Sequence, residues 1–262
     1  MQQISFLSVF YLKFSLKLII KNMRNLKFLM VAVICFVIIS CVNGQMRKTV
    51  HGNNKVTTQE RKTESFSGIK VSTGIDVYLK QGEENGTLKV EADENLHEYI
   101  LTEVRNGILN VYTEVNIREA ERKRVYVTMK EIRSISTTSA GDVIGETPVK
   151  TDNIKLSATS AGDIKLELYA KNIEADINSS GDMTLTGEAD LLNADLSSAG
   201  DLNAYELTVR EADISVSSAG DADITVTERI TARASSAGDI NYRGDPKYVD
   251  AHSSSAGGIH KR

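Results

Sequence analysis

The chain has 262 residues, with 31 Lys or Arg against 35 Asp or Glu, two Cys, two Pro and no Trp. Its charge is uneven: residues 42–135 hold 15 basic and 14 acidic side chains, whereas 136–262 hold 11 and 21, a net of −10. That acidic half argues against nucleic acid, whose phosphates demand a basic track, and against direct adhesion to anionic lipid.

Residues 1–41 carry five basic side chains and no acid, and end in the apolar run from Phe28 to Ser40. A basic flank followed by about a dozen apolar residues matches a secretory signal, and the run falls short of the roughly 20 residues that span a bilayer. A second apolar stretch, 6–20, is interrupted by Lys13 and Lys17; translation starting near Met23 accounts for it, and a genuine second segment is the rival account. Both cysteines, Cys35 and Cys41, lie here, so the exported body carries no disulfide into an oxidising compartment. Ile38-Ile39-Ser40-Cys41 resembles a lipobox, which makes Cys41 the lipidated mature N-terminus and the lipid the only link to a membrane. Val42-Asn43-Gly44 before Gln45 offers ordinary cleavage instead. The location that follows is an outer-membrane or cell-surface lipoprotein, or alternatively a periplasmic or secreted protein.

Residues 42–64 are polar and largely charged and are expected to form a tether. From Ser65 the pattern alternates, as in Ile75, Val77 and Leu79 and then Leu88, Val90 and Ala92, predicting short strands. Residues 93–100 predict one helical turn with Asp93 as N-cap. Strands resume at 108–112 and 124–128, and the intermixed charges of 118–124 predict a solvated loop. Residues 65–262 thus make one β domain, a leading portion 65–135 followed by a repeat region 136–262.

The repeat is Ser-Ala-Gly-Asp or a close variant. Its glycines are Gly141, Gly162, Gly181, Gly200, Gly220, Gly238 and Gly257, spaced 21, 19, 19, 20, 18 and 19 residues apart. A period of about 19–20 with strand-like residues between markers predicts an all-β, parallel β-solenoid. A serine stands two residues before every glycine, from Ser139 to Ser255, and mostly apolar residues stand four before and two after. Alternation along a strand then places serine and glycine together on the inward face of a tight corner.

The stretch Phe66 to Val77, the segment Ala92-Asp93-Glu94-Asn95-Leu96, Gly107-Ile108-Leu109 and the recurring markers together resemble the putative auto-transporter adhesin, head GIN domain family. The resemblance spans about residues 60–260. It implies a β-solenoid-like fold on an exported, often lipid-anchored bacterial protein, and it supplies no catalytic residues.

The aspartates after the first six glycines, Asp142, Asp163, Asp182, Asp201, Asp221 and Asp239, predict a column of like charges about 4.8 Å apart. Turn chemistry explains them through hydrogen bonds from backbone N–H groups, and calcium binding is the functional alternative. No other cofactor is implied. The four histidines are scattered, and Tyr169, Tyr205 and Tyr242 sit at different distances from their glycines, so no aromatic column for a glycan is expected. The reading is a non-enzymatic envelope protein displaying an acidic solenoid for adhesion or scaffolding towards a surface or envelope partner. A calcium- or glycan-binding module is the alternative, and a polysaccharide-active enzyme the third.

Overall fold

The computed structural model describes residues 47–83 and 86–262. The signal segment and Cys41 lie outside these residues. Strands dominate, and the described residues contain no α-helix. The leading portion comprises β1 (Thr49–His51), β2 (Val56–Lys62), β3 (Gly68–Val71), β4 (Asp76–Gln81), β5 (Thr87–Asp93), a 3₁₀ turn (Glu94–Leu96), β6 (Ile100–Arg105), β7 (Ile108–Thr113), β8 (Asn116–Arg118) and β9 (Lys123–Met129). The repeats form β10 (Ser134–Thr138), β11 (Asp142–Gly145), β12 (Val149–Thr159), β13 (Asp163–Asn178), β14 (Asp182–Ser197), β15 (Asp201–Val216), β16 (Asp221–Ala234), β17 (Asp239–Arg243), β18 (Tyr248–Ser253) and β19 (Gly258–Lys261).

The repeat strands stack as a parallel β-solenoid. In β13 the residues Ile164, Leu166, Leu168, Ile173, Ala175 and Ile177 are buried, while Asp163, Lys165, Glu167 and Glu174 are exposed. The break in alternation at 169–172 is where the strand bends from one wall of the coil to the other. Stacking in register puts like over like: Ile164 on Met183, Leu166 on Leu185, Ile173 on Leu192, Ala175 on Ala194. One continuous aliphatic core results, extending from Phe66 to Tyr242. The uneven repeat lengths are absorbed by local slips in register. The extra residue between Gly200 and Gly220 enters between Thr184 and Gly187 of the β14–β15 ladder. The short spacing to Gly238 is matched by slips in the β15–β16 ladder.

Chain order and stacking order differ in the leading portion. β3 lies between β7 on one side and β10 on the other, with Ile69 opposite both Leu109 and Ile135. β4 lies likewise between β9 and β11. Residues 82–133 therefore return beneath the turn made by β3 and β4 before the chain climbs to β10. Antiparallel strands close that end: β6 on β7, β5 on β9 and β2 on β5.

The structure departs from three expectations. Residues 49–51 and 56–62 of the expected tether are strands; β2 pairs along its whole length with β5, from Val56 opposite Asp93 to Lys62 opposite Thr87. Most of its side chains are exposed on both faces, so it lacks the alternation that betrays a half-buried strand. The helical turn is only the three-residue 3₁₀ turn, and the Asp93 side chain does not cap it. The marker serines are exposed, not inward. Only the glycine and the residues four before and two after it face the core, as at Ile177, Gly181 and Met183.

Candidate functional site: the stacked corners and their aspartate ladder

Every marker makes the same corner. In Asn178-Ser179-Ser180-Gly181 the Gly181 N–H donates to the Asn178 carbonyl at 3.2 Å, and both central residues have positive φ, 53° and 59°. Two central residues at positive φ inside such a bond define a type I′ turn. All seven Ser-Ala or Ser-Ser pairs repeat it, with φ between 50° and 65°. The left-handed backbone is therefore carried by serine and alanine, and this is why the serine leaves the inward face. The glycine has ordinary φ and serves close approach: a Cβ at Gly181 would stand 2.5 Å from the carbonyl carbon and oxygen of Ala158 on the adjacent turn.

Hydrogen bonds run from corner to corner. Ala199 N–H donates to the Ser218 carbonyl at 3.0 Å, Ala219 to Ser236 at 3.1 Å, and Asp201 N–H to the Gly181 carbonyl at 3.1 Å. The corners thus continue the ladder of the walls, and their backbone groups are satisfied where the chain turns most sharply.

The aspartates stack directly: Asp163 on Asp182, Asp182 on Asp201, Asp201 on Asp221, Asp221 on Asp239. Asp76, which carries no marker, extends the column beneath Asp142. Its own corner, Ser72-Thr73-Gly74-Ile75, has positive φ at Thr73 and Gly74 and places buried Ile75 where the repeats have glycine. Two carboxylates accept a bond from the next turn, Asp142 from Asp163 N–H at 3.3 Å and Asp201 from Asp221 N–H at 3.2 Å. For Asp142 and Asp201 the carboxylate therefore bonds to the next turn rather than within its own corner.

Partial burial, reinforced by the neighbouring carboxylates, raises the pKa of Asp142, Asp182, Asp201 and Asp221. Burial also raises that of Asp76, against the opposing pull of Lys123 and Arg124. Arg124 stands opposite Asp76 in the β4–β9 ladder, so the expected solvated loop at 118–124 ends in a strand that caps the column with positive charge. The same arginine lies 5.4 Å from the centre of the Tyr78 ring, which stacks on Tyr126 at 5.2 Å. Sequence reading missed this aromatic pair because its members lie on strands that neighbour only after the chain doubles back.

A folded state that holds protons more tightly than the unfolded chain gains stability as pH falls. The ladder's contribution is complete below the unfolded carboxyl pKa of about 4 and is lost as pH rises through the raised folded values. Glu83, Glu228 and Asp245, lowered by Lys130, Arg210 and Lys261, act the other way, and their contribution fades only towards still lower pH. The melting temperature should therefore rise on acidification from pH 7 towards about 4.5. Asp182→Asn with Asp201→Asn should raise it at pH 7 and flatten the slope, since adjacent charges repel by about 0.9 kcal/mol even in water. Equal slopes in both proteins would overturn this assignment.

Three of the four histidines have separate partners. His51 pairs with Glu119 at 3.0 Å, His97 with Thr57 at 2.9 Å, and His252 with Asp250 at 3.3 Å. Among the described residues no group of three or more His, Cys, Asp or Glu side chains is placed to hold a metal ion. A calcium ion would have to bridge carboxylates of successive turns.

The family model described as putative auto-transporter adhesin, head GIN domain, matches residues 65–246. A crystal structure of a putative adhesin from Bacteroides fragilis is similar, with 22% identity, a TM-score of 0.76, and coverage of 81% of this chain and 100% of that one. A putative adhesin from Parabacteroides merdae shares 21% identity, with a TM-score of 0.67 and coverage of 82% and 99%. A putative lipid binding protein from Parabacteroides distasonis shares 23%, with a TM-score of 0.68 and coverage of 82% and 100%. Among curated proteins none matches the sequence. These structural likenesses establish the solenoid fold.

Proposed function

The chain belongs to the putative auto-transporter adhesin, head GIN domain family, and from that premise we propose that it is a non-enzymatic envelope protein that displays a rigid, acidic β-solenoid for adhesion or scaffolding. The observation that carries this reading is the unbroken run of seven identical corners joined by turn-to-turn hydrogen bonds. Such a stack is stiff and presents polar walls whose corners bond to one another from turn to turn. Export and lipid anchoring through Cys41 belong to the same reading. Comparing detergent partitioning and mature mass for the wild type and Cys41→Ser tests the anchor. The same soluble form from both would favour cleavage before Gln45.

The carboxylate ladder favours calcium as a second reading. Calorimetry of the full chain with and without calcium separates the two. A large calcium-dependent rise in melting temperature, lost in Asp182→Asn with Asp201→Asn, would favour the ion, and no shift would leave the ladder structural. A glycan-array screen then tests carbohydrate as the adhesive target. Turnover of any polysaccharide that survives repurification would overthrow the non-enzymatic reading.

A further inference from the structure

The two ends of the stack are finished differently. The leading end is closed by antiparallel strands, whereas β18 pairs with β16 on one edge, and among the described residues no strand lies on its other edge. All six β18 residues are exposed, Tyr248 at 63% and Val249 at 50%, although Ile230, Ala232 and Ala234 on the turn below are buried. An open edge with apolar side chains is a template for another strand.

The backbone of this edge can be assigned. Ser254 N–H donates to the Ala234 carbonyl at 3.0 Å. In a parallel ladder both polar groups of one residue point the same way, and the direction alternates along the strand. Asp250 and His252 therefore face β16, while Val249, Ala251 and Ser253 direct both N–H and C=O away from it. Those three residues also continue the inward column of Ile230, Ala232 and Ala234.

We propose that this edge is a self-complementary docking surface on which two copies pair β18 to β18, antiparallel, about a twofold axis at Ala251. Val249 then lies opposite Ser253 and Ala251 opposite itself, so the outward backbone groups of these three β18 residues find partners and the inward faces join. Asp250 lies opposite His252 twice, at the non-hydrogen-bonded positions where side chains come closest. Sliding by two residues in one direction sets Asp250 against Asp250, and in the other His252 against His252. Sliding by a single residue mismatches both faces and hydrogen bonds. Asp250 and His252 pair within their own strand at 3.3 Å, and only in this register does each also face its complement across the axis rather than its like. Beneath this patch stand Thr231 and Arg233, the latter paired with Asp213 at 3.3 Å, so the local charges are otherwise matched.

Sedimentation equilibrium of the full chain, in mild detergent to shield the apolar N-terminal run, tests the proposal. The protein component should have twice the protomer mass. Ala251→Pro removes an outward N–H without touching the bonds to β16 and should give a folded monomer. Asp250→Arg should weaken association at least about tenfold, and Asp250→Arg with His252→Asp should restore it. The Val249 and Ala251 amides should be protected from hydrogen exchange in the dimer and exposed on dilution. A wild-type monomer at ~100 µM would overturn the proposal, as would a dimer indifferent to these substitutions. Protection independent of concentration would mean that a segment of the same chain covers the edge, and would overturn it equally.

Discussion

Replacing Gly181 with alanine is expected to lower stability by about 3 kcal/mol, and with valine by more. The new Cβ would meet the Ala158 carbonyl carbon and oxygen at 2.5 Å and the Thr159 nitrogen at 2.9 Å. All three are backbone atoms of a neighbouring strand, so no rotamer change relieves the contact, and the turns must part where they exchange hydrogen bonds. For a domain of this size the melting temperature should fall by roughly 6–12 °C. The reverse substitution one position earlier in an equivalent corner has the opposite sign. Ala199→Gly, at φ 58°, removes left-handed strain of about 1 kcal/mol and should be neutral to stabilising. Paired thermal melts of Gly181→Ala and Ala199→Gly decide the matter. If alanine at 181 melts like the wild type, close approach is not why glycine stands there.

Asp93→Ala should cost roughly 3 kcal/mol, because it strips the acceptors from three backbone N–H groups at once. The fully buried carboxylate receives Asn54 N–H at 2.9 Å on one oxygen, and Glu121 and Arg122 N–H at 3.0 and 3.2 Å on the other. It thereby pins the approach to β2 and the approach to β9 onto the end of β5, holding the antiparallel closure of the leading end together. Asp93→Asn keeps one acceptor oxygen but turns an amide N–H₂ towards a donor, so its loss should be intermediate. Urea unfolding measures the stabilities, and hydrogen exchange should show the Asn54, Glu121 and Arg122 amides released first. An Asp93→Ala protein within about 0.5 kcal/mol of wild type would show that water replaces the carboxylate at no cost.

Much of the candidate site was legible because a stacked repeat converts sequence period into spatial alignment. The six marker aspartates fell into one column for that reason, and the alternation of residues such as Ile164, Leu166 and Leu168 marked the core wall. Asp76 escaped because Ile75 fills its glycine position, leaving no marker to align on. Arg124 and the Tyr78–Tyr126 stack escaped because 82–133 fold back beneath β3 and β4, an order of stacking that no local pattern records. β2 was hidden by its mostly exposed side chains: an added edge strand is held by backbone bonds, which leave no signature in hydropathy.

The sequence by itself determined the fold class, the seven marked corners and their pitch, because each turn must bury its apolar residues on the next and so must repeat them at nearly constant spacing. Only the tertiary structure decided how each corner is made. Alternation in the pattern placed serine beside glycine on the inward face, yet serine and alanine take the left-handed backbone at φ near 55° and turn outward while glycine keeps an ordinary φ. The physical reason lies outside the tetrapeptide. Left-handed strain of about 1–2 kcal/mol per residue is tolerable when the surrounding ladder of hydrogen bonds over-determines the turn. A Cβ driven into the carbonyl of the adjacent turn has nowhere to go, so the position facing that turn must be the one without a side chain.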